Sequence, residues 1–210
     1  MSYFVDMIFP KTCCQCGRNG LYLCQECIQS LRRKGIHIPR HSRLEGQLSL
    51  FRYKGLIKSA ISDLKFNFVS DIVNEISNLV VYSLVNNYPH LLRYWQENKF
   101  VFVPVPLHQK RHLWRGYNQS TLLAQKISTI LNMNMDESLI IRAKNNSPQS
   151  LIKDRRLRRQ SLDNSFFCAS PNPPAHIILF DDVFTSGATI SSTARALPAD
   201  SHIWGLTLAG

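Results

Sequence analysis

The stretch Ile177-Ile178-Leu179-Phe180-Asp181-Asp182-Val183-Phe184-Thr185-Ser186-Gly187-Ala188-Thr189 constrains the fold more than any other part of the chain. Its unbroken apolar start reads as a strand covered on both faces, the condition of strands in a parallel sheet flanked by helices. Two carboxylates follow, then a turn of small residues around Gly187 opens a helical pattern over Thr189–Leu197. Ile203–Leu208 supplies another apolar strand, and the order strand, helix, strand predicts an α/β fold with a parallel sheet. Phe100–Val103, closed by Pro104 and Pro106, reads as a second buried strand entering a loop. Helical spacing predicts one helix from Val69 to Leu84, with Ser70 as N-cap and Pro89 beyond its end. A second, entered from Asn118 and Ser120, carries Leu122, Leu123, Ile127 and Leu131.

In open α/β sheets the ligand crevice lies at the carboxyl ends of the strands, so Asp181, Asp182 and the loop after them should border it. The N–H groups of Thr185, Ser186, Gly187, Ala188 and Thr189 fall where a helix N-terminus attracts a phosphate dianion, and Gly187 permits close approach. The hydroxyls of Thr185, Ser186 and Thr189 add donors. Asp181 and Asp182 are acceptors suited to ribose hydroxyls or a magnesium shell. A sugar phosphate fits this set. A capped helix without a ligand would account for one acid and one hydroxyl, but not for adjacent carboxylates ending a buried strand.

Five of the six cysteines fall within one 15-residue window. Cys13-x-x-Cys16 and Cys24-x-x-Cys27 supply two tight turns whose thiolates can converge on zinc as a closed, structural four-sulfur shell. Only seven residues separate the pairs, but Gly17, Asn19 and Gly20 among them provide a turn. Cys14 is the alternative to Cys13 as ligand. A disulfide framework is disfavoured because adjacent cysteines bridge poorly and the chain reads as cytosolic. Cys168, beside Phe166 and Phe167, reads as a buried apolar residue.

The opening residues lack the features of a signal peptide, and no apolar run reaches membrane-span length, so a cytoplasmic location is expected. The formal net charge of +11 points toward a polyanionic partner. The excess is clustered: residues 30–58 hold eight basic residues against Glu45, and residues 142–159 hold seven against Asp154. Arg32, Arg33, Lys34 and the run Arg155, Arg156, Arg158, Arg159 are the candidate nucleic-acid contacts. The Pro-containing basic link IHIPRHSR suggests a boundary, giving residues 1–45 as a zinc ribbon with linker and 46–210 as the larger domain.

The acid pair and the Thr-Ser-Gly-Ala-Thr loop resemble the phosphoribosyl pyrophosphate motif of type I phosphoribosyltransferases. Phe102-Val-Pro-Val-Pro-Leu107, then Lys110-Arg111-x-x-x-Arg115-Gly-Tyr-Asn-Gln119, resembles the PVPL and RGFNQ signature of ComF-like competence proteins, with Tyr117 for the usual Phe. Tyr53-x-Gly55 and Leu64-Lys65-Phe66 resemble them too. The resemblance implies a cysteine ribbon ahead of a phosphoribosyltransferase-like domain. It implies that Asp181 and Asp182 face ribose and magnesium, and that Thr185 to Thr189 hold the ribose phosphate. Pro104, Val105, Pro106 and Leu107 would form the pyrophosphate loop, beside which Arg115 would neutralise leaving-group charge. The chain departs from the pattern at Gln160-Ser161, where relatives carry Arg-Asn.

Natural transformation is the function this resemblance implies: handling of incoming single-stranded DNA, with phosphoribosyl pyrophosphate and magnesium in the pocket and contacts to a translocation helicase or DNA-processing proteins. The alternatives are an active phosphoribosyltransferase with an unknown acceptor and a zinc-stapled adaptor with a vestigial pocket. The scattered histidines His37, His41, His90, His108, His112, His176 and His202 form no catalytic signature.

Overall fold

The computed structural model describes residues 10–38, 42–66, 71–107, 113–142 and 165–210. Their strands are β1 (Arg33–His37), β2 (Gly46–Phe51), β3 (Val101–Pro104), β4 (Ile140–Arg142), β5 (Phe166–Cys168), β6 (His176–Val183) and β7 (His202–Ala209). The helices are α1 (Gln25–Gln29), α2 (Gly55–Phe66), α3 (Ile72–Asn87), α4 (Pro89–Glu97), α5 (Gln119–Ile130) and α6 (Ala188–Arg195). The central sheet has the order β1-β2-β7-β6-β3. β2, β7, β6 and β3 run parallel, and β1 adds an antiparallel edge. β4 and β5 pair as a separate antiparallel hairpin.

Alternation along the strands divides the core into two layers. Phe102, Ile178, Phe180, Leu206 and Leu208 face one layer, with Ile57 and Leu64 of α2, Ile76 and Val80 of α3, and Leu123 and Ile127 of α5. Val103, Ile177, Leu179 and Ile203 face the other, with Ile190 and Ala194 of α6 and Ile140 and Phe166 of the hairpin. Helices therefore cover both faces, as the apolar strand at Ile177 requires. Full burial of each such side chain contributes about 1.5–3 kcal/mol.

The second predicted helix is α5, with Asn118 as its N-cap accepting the Ser120 N–H at 3.1 Å. The first is α3; Val69 and Ser70, expected to open it, lie outside the described residues. Pro89, expected only to follow a helix end, stands in the first turn of α4, where its missing N–H costs nothing. Arg33–His37, within the expected N-terminal unit, forms an edge strand of the main sheet.

The cysteine segment packs into the first core layer through Cys13, Leu23, Cys24 and Cys27. Polar contacts hold it there. The Glu75 carboxylate of α3 accepts the N–H groups of Tyr22 at 3.2 Å and Leu23 at 2.8 Å. Gln15 Oε1 accepts the Leu56 N–H at 2.7 Å, capping α2 from a distant part of the chain. No helix among the described residues is long and apolar enough to cross a membrane.

Candidate functional site

The Sγ atoms of Cys13, Cys16, Cys24 and Cys27 all lie within 4.8 Å of one another. Tetrahedral zinc with bonds of about 2.3 Å would set its sulfurs about 3.8 Å apart, and Cys16 and Cys24 already stand at 3.6 Å. The first pair sits on a tight turn closed by Gly17 N–H to Cys13 O at 2.9 Å, with Gly17 at φ 73°. Cys24 is the N-cap of α1, and Cys27 follows in its first turn. Burial opposes the Cys13 thiolate, but backbone contacts from Cys16, Cys24 and Gln15 outweigh it and hold the thiol down to about 6. Cys27 is pushed up to about 12, first by its hydrogen bond with Cys24 and then by burial. Cys14 stands outside this group: burial, then Asp63, drives its thiol well above the usual range. The choice between Cys13 and Cys14 thus falls on Cys13, and the four sulfurs suit a structural zinc ion.

The second site is a cavity of about 460 Å³ at the carboxyl ends of β3 and β6. Asp181 and Asp182 end β6 on its floor, Val105, Pro106 and Leu107 form one wall, and Thr189 enters from the first turn of α6. Pro104 closes β3 behind this wall. The wall is locked by Val105 N–H to Phe180 O at 2.9 Å and by Asn118 Nδ2 donating to Val105 O at 3.0 Å. Asn118 therefore serves as both helix cap and loop clamp.

Gly187 has φ 74°, and a Cβ there would lie 2.5 Å from Phe184 Cζ. The glycine is required by the turn itself, whatever approaches from outside. Thr185, Ser186 and Ala188 are exposed, and the Ser186 hydroxyl oxygen accepts the Ala188 N–H at 3.4 Å. Of the expected loop residues Thr185 to Thr189, Thr189 alone lines the cavity with the acid pair.

The acids have specific partners. Ser120 Oγ donates to Asp181 Oδ1 at 2.9 Å, and the Asp182 N–H reaches the same oxygen at 2.9 Å. Gln119 Nε2 donates to Asp182 Oδ1 at 3.2 Å, while Lys65 Nζ forms an ion pair with Asp182 Oδ2. The side-chain oxygen Oε1 of Gln119 accepts from the Arg115 guanidinium. Burial, then the neighbouring Asp182, pushes the Asp181 carboxyl up to about 8.

Arg115 is no surface arginine. It is buried, with its guanidinium 5.5 Å from the Phe66 ring centre, and Phe66 in turn packs on Trp114 at 5.8 Å. Lys65 and Phe66 carry no sign of these contacts in the sequence beyond the resemblance of the Leu64-Lys65-Phe66 triplet.

Asp182 Oδ2 meets Lys65 and its Oδ1 accepts from Gln119, while Asp181 Oδ1 accepts two hydrogen bonds. The expected magnesium ion would draw on Asp181 and Asp182 for one or two of its oxygen ligands, the rest of its shell coming from water and ligand phosphates.

Of the candidate nucleic-acid contacts, Arg32, Arg33 and Lys34 are exposed at the sheet edge. The Arg52 N–H donates to Arg32 O at 2.9 Å, and Arg32, Arg52 and Lys54 line a separate cleft of about 330 Å³. Arg155, Arg156, Arg158 and Arg159 lie outside the described residues, as do His41, His108 and His112. His176 and His202, far apart in sequence, stack at 4.8 Å at the opposite ends of their strands from the acid pair.

No protein-family model matches the chain. The DNA utilization protein YhgH of Escherichia coli strain K12 is 30% identical over 188 residues, covering 89% of this chain and 78% of that protein. The competence protein ComFC of Bacillus subtilis strain 168 is 28% identical over 190 residues, covering 88% and 70%. The competence protein F of Haemophilus influenzae is 35% identical over 114 residues, covering 51% and 49%. With cysteine cluster, PVPL wall and acid pair all inside a chain matched along most of its length, this protein belongs to the ComF-like family of competence and DNA-utilisation proteins.

Proposed function

We propose that this protein handles single-stranded DNA in the cytoplasm during DNA uptake or use, and that its cavity binds phosphoribosyl pyrophosphate in a phosphoribosyltransferase-like fold. The observation that carries the pocket reading is the convergence of Asp181, Asp182, Thr189 and the Val105–Leu107 wall in one cavity at the strand ends. That is where α/β sheets hold phosphorylated ligands. The DNA reading draws on the names of the relatives and on the exposed cations at Arg32, Arg33 and Lys34. The cysteine cluster, holding zinc, fixes the N-terminal segment against the sheet. The basic run at Arg155–Arg159 extends the DNA contact, and a translocation helicase or DNA-processing protein is the partner class.

In this reading Asp181 accepts ribose hydroxyls, the α6 turn receives the ribose phosphate, and Arg115 faces the leaving-group side. An active transferase is the second reading, favoured by the buried Arg115–Gln119–Asp182 chain, which places a fixed cation beside the Pro106 wall. Calorimetric titration with phosphoribosyl pyrophosphate tests the pocket: Asp181→Asn should weaken binding strongly, and unchanged affinity would remove the cavity from consideration. DNA binding is tested by salt titration with oligothymidylate. Replacing Arg155, Arg156, Arg158 and Arg159 by Ala should flatten the slope of log affinity against log salt by up to about 3, at roughly 0.7 per lost single-strand phosphate contact. An unchanged slope would clear that run. Pyrophosphate release dependent on an added acceptor would establish the transferase reading.

A further inference from the structure

We propose that the cleft between the cysteine segment and the turn from β2 to α2 is a phosphodiester site, in which Arg32, Arg52 and Lys54 hold the backbone of a single-stranded nucleic acid. The proposal rests on the DNA reading above and gives it a place in the fold. The cleft, of about 330 Å³, takes Gln15, Ser30 and Arg32 from one side and Arg52 and Lys54 from the other, and its charged lining groups are all cationic. Its two sides are tied together. The Arg52 N–H donates to Arg32 O at 2.9 Å, and Gln15 Oε1 accepts the Leu56 N–H at 2.7 Å. Gln15 thereby takes up an N–H in the first turn of α2, so the cationic side chains are the recognising groups.

The cations of the cleft have no acid to neutralise them. Residues 30–58 contain one acid, Glu45, and it is committed elsewhere, paired with His202 and accepting the Trp204 indole N–H at 2.9 Å. Other cations of the cysteine segment do meet carboxylates, Lys11 that of Asp71 at 3.8 Å and Arg18 that of Glu26, whereas no ion pair among the described residues includes Arg32, Arg52 or Lys54. The strand register adds a cost. Arg33 pairs with Phe51 across β1 and β2, so one further step of the antiparallel register sets Arg32 opposite Arg52. Like charges placed directly opposite destabilise a sheet. A phosphate between them removes that cost, because each guanidinium offers it parallel N–H donors and Lys54 adds a point charge. Such a set reads phosphate rather than base, so binding is indifferent to sequence. The names of the relatives favour a nucleic acid over an acidic peptide as the polyanion.

The test is fluorescence anisotropy of labelled oligothymidylate over a range of salt concentrations, with the full chain. Arg52→Gln combined with Lys54→Gln should flatten the slope of log affinity against log salt by about 1.4, at roughly 0.7 per lost single-strand phosphate contact. Arg93→Gln combined with Lys126→Gln removes the same charge from exposed positions of α4 and α5 outside the cleft, and should leave the slope unchanged. Arg52→Gln alone should raise Tm at low salt by relieving the opposed charges. A lower Tm would show that this arginine serves the sheet and would overturn the assignment. An unchanged slope in the cleft variant, or an equal fall in both paired variants, overturns the cleft while leaving the DNA reading intact. Absence of binding by the wild-type protein at every salt concentration overturns both. Polyglutamate that displaces oligothymidylate as well as unlabelled oligothymidylate does, charge for charge, would give the cleft to an acidic protein segment and overturn the nucleic-acid proposal.

Discussion

Loss of the metal should destabilise the whole chain rather than fray its first forty or so residues, a sharper outcome than the cysteine spacing alone suggests. Three attachments would be lost with the cysteine segment. The two N–H bonds to Glu75 are charge-assisted and worth about 1.5–3 kcal/mol each. The Gln15 cap on Leu56 adds about 1 kcal/mol, and Leu23, 2% exposed, contributes a burial of about 1.5–3 kcal/mol. Together these reach about 5–10 kcal/mol, comparable with the whole stability of an ordinary domain at about 5–15 kcal/mol. Glu75→Ala isolates one part without touching a cysteine. It should cost about 3 kcal/mol, which for a chain of this size lowers Tm by roughly 6–12 °C. Cys24→Ser, or zinc removal by a strong chelator, should lower Tm further and in a single transition. The assay is calorimetric melting with parallel zinc quantification. A Glu75→Ala protein melting within a degree of wild type, or a metal-free protein whose main transition is unmoved, would refute the reasoning.

The raised Asp181 carboxyl fixes a pH dependence. The folded chain holds this proton up to about 8, against 3.8 for the free group, so the favourable contribution is full below pH 3.8 and is lost as pH rises through about 8. Asp181→Asn should therefore flatten the fall in Tm over that window, and an unaltered Tm profile would contradict the assignment. Gly187→Ala should cost at least about 1–2 kcal/mol from its left-handed backbone alone. It should also push Phe184 off His37, now at 5.0 Å, weakening phosphoribosyl pyrophosphate binding in the calorimeter. Gly205→Ala places a Cβ 1.9 Å from Gln47 Oε1 inside the sheet, so overpacking of about 1–3 kcal/mol is expected in urea unfolding. Arg115→Lys should bind pyrophosphate more weakly than wild type because an ammonium cannot both stack on Phe66 and hold Gln119 in the guanidinium geometry.

The parts of the molecule legible in the sequence are those whose chemistry is local. Cys13, Cys16, Cys24 and Cys27 declare a metal site because a four-sulfur shell needs closely spaced pairs. Ile177 to Thr189 declares a strand, an acid pair and a helix entry because all three are written in consecutive residues. β1 was not legible: Arg33 to His37 is basic and broken by Gly35, and it becomes a strand only because β2 offers a hydrogen-bonding edge. Nor was α2, whose start at Gly55, with φ 51°, carries no acid in its first turn and takes its cap from Gln15, 41 residues before Leu56. That helix joins the two candidate sites. Its first turn is held by the cysteine segment, and its last presents Lys65 to Asp182 and Phe66 to Arg115. Twelve helical residues span about 18 Å at 1.5 Å per residue, and its buried face, Leu56, Ile57, Ala60, Ile61 and Leu64, fixes it to the first core layer. A metal that orders the cysteine segment would therefore also order the start of the helix whose far end brings Lys65 to Asp182, which gives the four-cysteine cluster a direct bearing on the cavity at the strand ends.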